Sequence, residues 1–158
     1  MAIEILNETT FDIDTERVVQ LGQHLYTTLH ISSDAELAIV FIDNEAMSFL
    51  HKEWMGLDGP TDVMSFPMDE LRPGTAEAPA EGLLGDIVIS PAVANQHAAV
   101  GGHSVADEIA LLVTHGLLHL LGYDHHDAEE KQRMFGLQHE LLEQFLGYEP
   151  PQLHDDEA

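Results

Sequence analysis

Ile109-Ala-Leu-Leu-Val-Thr-His115-Gly-Leu-Leu-His119-Leu-Leu-Gly122-Tyr-Asp-His125 is the stretch on which the reading of this chain turns. The apolar run Ile109 to Val113, with Leu117, Leu118, Leu120 and Leu121 around the two histidines, predicts a buried helix that Gly122 ends. His115 and His119 are four residues apart, so they stack on one helical face about a turn apart, close enough to share an ion. Glycine takes the left-handed conformation that closes a helix, which lets the chain turn and bring His125 back over the open side of the pair. Three neutral imidazoles with one vacant position describe a catalytic zinc site. A structural site usually fills all four positions, often with cysteine, and the chain has no cysteine. A spaced pair alone arises easily by chance among 11 histidines; the glycine and the third histidine set this segment apart.

Outward from that helix, the sequence alternates strands and helices. Ala2-Ile-Glu-Ile-Leu6 has the period of a strand, and Val18, Leu21, Leu25 and Leu29 recur at helical spacing after the cap residues Asp14 and Thr15. Glu36 to Ile42 reads as a buried strand, followed by a helix capped by Asp43 or Asn44 and carrying Met47, Leu50 and Trp54. Gly59-Pro60 breaks that helix, a short strand near Asp62 to Phe66 stops at Pro67, and Met68 to Gly82 has the composition of an exposed, mobile loop. Leu84 to Ser90 is another apolar strand, with Pro91 in the first turn of the helix after it. The histidine helix opens at Ser104, and a last helix is capped by Asp127 and runs to Gly147. The expected fold is α+β: a small mixed four-stranded sheet with about five helices in a single domain over residues 1–150, and a disordered acidic tail over 151–158. The breaks around Gly59 and before Leu84 do not read as regular crossovers, which favours mixed strand directions.

The formal net charge is −24, from 5 Lys and Arg against 29 Asp and Glu. Phosphate contacts come mainly from Lys and Arg, so this balance argues against broad nonspecific binding to nucleic acid. It leaves room for a local site, because a metal, helix N-termini and a few placed side chains can hold a phosphate, and a protein partner can supply basic surface. The acidity also has a plain reading as a solvated surface. No apolar run approaches the roughly 18 to 20 residues of a membrane span, and the N-terminus lacks the pattern of a signal peptide, so a cytoplasmic location is expected.

With the three histidines, Leu83-Leu-Gly-Asp86-Ile-Val-Ile-Ser90 and Pro60-Thr-Asp-Val-Met-Ser65-Phe-Pro67 in view, the chain closely resembles the YbeY family of bacterial metalloproteins over almost its whole length. The resemblance implies a single-strand-specific endoribonuclease that acts in ribosomal RNA maturation, notably at the 3′ end of small-subunit ribosomal RNA, and in ribosome quality control. It makes His115, His119 and His125 the ligands of one Zn2+. It also implies single-stranded RNA, ribosomal RNA or the small ribosomal subunit as partner, with a ribosomal or assembly-factor protein beside it. One departure stands out: where most members carry an arginine before the glycine ahead of the Pro-Thr-Asp segment, this chain has Met55. Methionine cannot make the bidentate contact of an arginine, and Arg72 is the candidate to substitute.

Zinc on three neutral ligands keeps its double charge, so it can acidify a water and polarise a phosphoryl oxygen, both suited to phosphodiester hydrolysis. Gly116 occupies the position where HExxH metalloproteases place their glutamate base, which disfavours a peptidase. Attack by water or by the neighbouring 2′-hydroxyl both remain open. Asp124 and Asp86 are the candidate carboxylates, for proton transfer or for orienting a histidine through its other ring nitrogen, and Glu108 is a further one. Ser65 and Arg72 are the candidates for substrate binding, and His126 is expected to face solvent. Two other readings compete: a non-catalytic ribosome assembly factor with a structural metal, and a metal-dependent hydrolase of another substrate. Three imidazoles suit zinc but tolerate nickel, cobalt or copper.

Overall fold

Strand β1 (Ile3–Asn7), helix α1 (Thr15–Thr28) and strand β2 (Glu36–Phe41) form a parallel β-α-β unit in the computed structural model, which describes residues 2–153. Helix α2 (Asn44–Met55), strands β3 (Val63–Pro67) and β4 (Leu83–Ile89), and helices α3 (Pro91–Gly101), α4 (Val105–Leu120) and α5 (Ala128–Leu146) follow. The sheet order is β1-β2-β4-β3, with β4 parallel to β2 and β3 antiparallel to β4 at the edge. The expected mixed four-stranded sheet with five helices is therefore the observed architecture. None of the described helices is long and apolar enough to cross a membrane.

Each helix begins where its own sequence satisfies the orphan backbone donors of the first turn. The side chains of Asp14, Asp43, Ser90, Ser104 and Asp127 each accept a hydrogen bond from the backbone N–H three residues on. Such caps contribute about 1 kcal/mol apiece. Where two cap residues were equally plausible, Asp14 and Asp43 serve.

Period-two alternation divides the sheet into two faces. Leu37, Ile39 and Phe41 of β2, with Ile87 and Ile89 of β4, face the larger core built with α1 and α4. Val40 and Val88, with Met64 and Phe66 of β3, face the smaller cluster under Met47 and Leu50 of α2. Helix α4 is buried almost throughout, from Asp107 to Leu118, since it lies on the sheet with α3 and α5 packed against it. A helix apolar on all sides can only occupy such a central position.

Residues 68–82 are irregular and largely exposed, as expected, but they are tied to the body rather than loose. Gly74 N–H donates to Leu29 O, Ala80 N–H to His30 O and Ser32 N–H to Ala80 O. The expected tail divides in two: Leu153 packs against the larger core, and residues 154–158 lie outside the described residues.

Candidate metal centre

Helix α4 carries His115 fully buried and His119 half-buried one turn later, and its last turn closes on Leu121. Gly122 follows with φ of 92°, the left-handed conformation read from the sequence. Its Cα is also the surface on which the Arg72 guanidinium rests, so a side chain here meets both obstacles. The turn returns His125 to the pair: ring centroids are 4.5 Å apart for His115 and His119, 5.6 Å for His115 and His125, and 5.4 Å for His119 and His125. The three offer ring nitrogens that all lie within 4.8 Å of one another.

The tautomer of His115 is set from α5. Its Nδ1 lies 2.8 Å from Gln138 Oε1, and both residues are buried. An amide oxygen only accepts, so Nδ1 carries the proton and Nε2 presents its lone pair. That Nε2 sits 3.0 Å from Nε2 of His119, close to the roughly 3.3 Å that separates two nitrogens on one tetrahedral zinc with bonds of 2.0–2.1 Å. Burial, and then the neighbouring His125, hold the His119 imidazole below its ordinary pKa and so favour the neutral form that ligates, while Asp124 pulls the other way. Phe135 of α5 packs edge-on against His115 and tilted against His125, closing the inner side of the centre. The donor set, the fixed tautomer and the spacing fit one divalent ion with a face left open.

That face opens into a cleft of about 430 Å³ along the free edge of β3. Thr61, Ser65 and Phe66 form one wall, His51 and Trp54 of α2 a second, and His119, Tyr123 and Asp124 a third. Ser65 Oγ donates to Gly116 O at 3.1 Å, binding the edge strand to the histidine helix. Gly116 is there because the sheet is: a Cβ would lie 2.8 Å from Ile87 Cγ2 and 3.1 Å from Ser65 Oγ. A glutamate base has no room at that position, the physical counterpart of the sequence argument against a peptidase.

The other candidates separate. Asp124 lines the cleft, accepts from His125 N–H at 2.8 Å and pairs with His126 Nε2 at 2.8 Å, and His126 is solvent-facing as read. Asp86 stands in register with Phe66 while its neighbour Ile87 meets α4, so it projects from the sheet face opposite the histidines. Glu108, two turns before His115, is held by His103 instead. Arg72 donates to Glu70 O and Leu71 O and lies against Gly122, which lines the cleft, without lining it itself. Gln138 and Phe135 were not read from the sequence. The available signal was a glutamine in the apolar stripe Met134, Gln138, Leu141, Leu142 of the last helix, a core position that demands a hydrogen-bond partner.

A family model described as Endoribonuclease YbeY matches residues 4–146. A protein named Endoribonuclease YbeY from Renibacterium salmoninarum is 56% identical over 152 residues, covering 96% of this chain and 97% of the relative. Its namesake from Micrococcus luteus is 52% identical over 151 residues, 96% of each. Among solved structures, the solution structure of a Thermotoga maritima protein superposes with a TM-score of 0.62 at 25% identity, over 92% of this chain and 89% of that one.

Proposed function

We propose, because this chain belongs to the YbeY family of endoribonucleases, that it is a zinc-dependent endoribonuclease specific for single-stranded RNA. As a family member it is a hydrolase of RNA phosphodiester bonds with a role in ribosomal RNA processing. The finer reading is maturation of the 3′ end of small-subunit ribosomal RNA and ribosome quality control in the cytoplasm, with the small subunit or an assembly factor as partner. The observation that carries the metal dependence is the convergence of His115, His119 and His125, with His119 lining a cleft.

A zinc ion held by the three imidazoles supplies a positive charge that polarises a phosphoryl oxygen and acidifies water. Everything else falls to the chain. Gln138 keeps His115 in the ligating tautomer. Asp124, on the cleft wall beside His125, is the carboxylate placed to take the proton of the attacking hydroxyl, whether from water or from the ribose. Ser65 and the free backbone edge of β3 offer polar groups along the cleft, and Arg72, against Gly122 of the cleft lining, is the cation for a phosphate of the strand. Trp54 and Phe66 pack edge-on with ring centroids 5.7 Å apart, and the joint aromatic surface they give the cleft suits an unstacked base rather than a duplex.

The test is cleavage of a single-stranded precursor of the small-subunit 3′ end, against the same sequence as a duplex, by protein loaded with Zn2+ or stripped of it. Cutting of the single strand alone, lost on stripping and lost in His119→Ala, is the expected result. Persistent cutting by His119→Ala refutes the metal centre, and equal cutting of the duplex refutes the strand preference.

A further inference from the structure

A second cluster of ligating side chains lies behind the cleft wall, where the entry to β3 meets α3 and α4. Asp62, His97 and Glu108 each offer an atom there, all within 4.8 Å of one another. Thr61, the residue before Asp62, lines the cleft, whereas Asp62 is fully buried. The three come from three different elements, which is how sequence-distant residues build an ion site.

Asp62 and Glu108 are 0% and 1% exposed. Two ionised carboxylates so close have lost their water and repel each other, and a cation or protons relieve that repulsion. One divalent cation held by all three side chains is one way to do so. Protons on His97 and on His103, which contacts Glu108, are the other way to balance the cluster.

His97 Nδ1 and Asp62 Oδ2 are 3.4 Å apart. That is an ion-pair separation longer than the 2.7–3.2 Å of a good N–H···O bond, and it is compatible with the roughly 3.4 Å between two ligand atoms on a tetrahedral ion with bonds near 2.1 Å. His103 behaves differently: its Nε2 lies 2.6 Å from Glu108 Oε1, the short contact of an imidazole steadying a ligand carboxylate. Glu108 Oε2 is buried and receives no hydrogen bond from the described residues, which leaves it free to ligate. The two imidazoles are the more exposed members, with side chains 13% and 18% accessible, and give an ion its way in.

We propose that Asp62, His97 and Glu108 form a second site for a divalent transition-metal ion, distinct from the three-histidine centre. Oxygen and imidazole ligands together suit zinc or manganese, and the depth of the site makes it structural. The ion joins β3 to α3 and α4 and so stiffens the strand whose next residues, Val63 and Ser65, wall the cleft. Nothing in this proposal depends on RNA cleavage.

The experiment counts Zn2+ per chain by elemental analysis. The full chain is folded in the presence of Zn2+ and then dialysed against a weak chelator, which strips exposed groups such as His139, Glu143 and Glu149. The expected result is two ions in the wild type, one in His119→Ala, one in Glu108→Gln and none in the double variant, with circular dichroism confirming that each is folded. Asp62→Asn stands in if Glu108→Gln does not fold, and the His119→Ala count needs no change to the cluster at all. One ion in the wild type and none in His119→Ala overturns the proposal and leaves the cluster balanced by protons. One ion that survives His119→Ala and disappears in Glu108→Gln sustains the second site and refutes the histidine centre instead.

Discussion

Replacing Gln138 with leucine isolates what α5 contributes to the histidine centre. The side chain is 4% exposed and its Oε1 receives the proton of His115 Nδ1 at 2.8 Å, while His115 itself is fully buried. Leucine is close in volume, so the packing around Met134, Leu141 and Leu142 is largely kept and the change removes mainly the acceptor. Two consequences follow from one loss. A buried N–H left without a partner costs about 1–3 kcal/mol of stability. In addition the Nδ1–H tautomer no longer has its anchor, and the ring is free to place its proton on Nε2, where it blocks ligation. Loss of such an orienting partner weakens metal binding about 10- to 100-fold, which is roughly 1.4 to 2.7 kcal/mol. Competition for Zn2+ against a chromophoric chelator reads this directly. Gln138→Glu restores an acceptor at the same place and is expected to recover most of the affinity, which distinguishes orientation from general loosening. Wild-type zinc affinity in Gln138→Leu would refute the assignment of Gln138 as the residue that fixes the tautomer.

Gly116→Ala gains about 1 kcal/mol of helix propensity but forces a methyl to within 2.8 Å of Ile87, and overpacking of that kind costs about 1–3 kcal/mol. The expected net is a fall in melting temperature of about 2–4 °C with loss of RNA cleavage, and a rise in melting temperature with activity kept contradicts the close approach of α4 to the sheet. Gly122→Ala imposes φ of 92° on a side chain that also meets the Arg72 guanidinium, costing about 1–2 kcal/mol, and is expected to weaken Zn2+ binding by displacing His125; unchanged binding by calorimetry counts against the turn's role. Tyr26→Phe removes the buried O–H that donates to Ala35 O at 2.8 Å and should cost about 1 kcal/mol, read as a lower urea midpoint; burial and Glu36 hold that phenol above its ordinary pKa, so it remains a donor at every usable pH. Arg72→Ala is expected to weaken single-stranded RNA binding evenly across sequences and to lower the slope of log affinity against log salt by about 0.7, and an unchanged slope removes Arg72 from the phosphate contacts.

The histidine helix was legible because everything that defines it is local: the apolar run, the four-residue spacing, the cap at Ser104 and the glycine at the turn all lie within one segment. Gln138 was not, because it acts across 23 residues and one helix boundary, and no local pattern says which residue a buried amide will meet. Asp86 fails for a different reason. The strand Leu83–Ile89 is buried on both faces, so its sequence shows no alternation of apolar and polar residues from which to assign a side, and only the pairing of Ser65 with Ile87 reveals that Asp86 points away from α4. Glu108 shows the limit of helical spacing, which placed it correctly on the histidine face but about 10.5 Å along the axis, where His103 claims it.

Net charge and local chemistry part company at the cleft. Three of the five cations are paired with acids: Arg17 with Asp107 at 2.9 Å, Lys52 with Asp58 at 3.1 Å, and Arg133 near Glu129 at 3.9 Å. The remaining two each touch a residue next to the histidine centre. Arg72 rests on Gly122, and Lys131 lies 5.4 Å above the ring of Phe135, whose other contacts are His115 and His125. In a chain of net charge −24 these two cations thus stand next to residues of the proposed centre, Arg72 donating to Glu70 O and Leu71 O as it does so. On the proposed function, binding through so few cations draws on base contacts with the aromatic side chains of the cleft as well, and bases are available to them only when the strand is unpaired. On the proposed function, the acidity that argues against a general nucleic-acid binder is the same feature that favours an unpaired strand at one cleft.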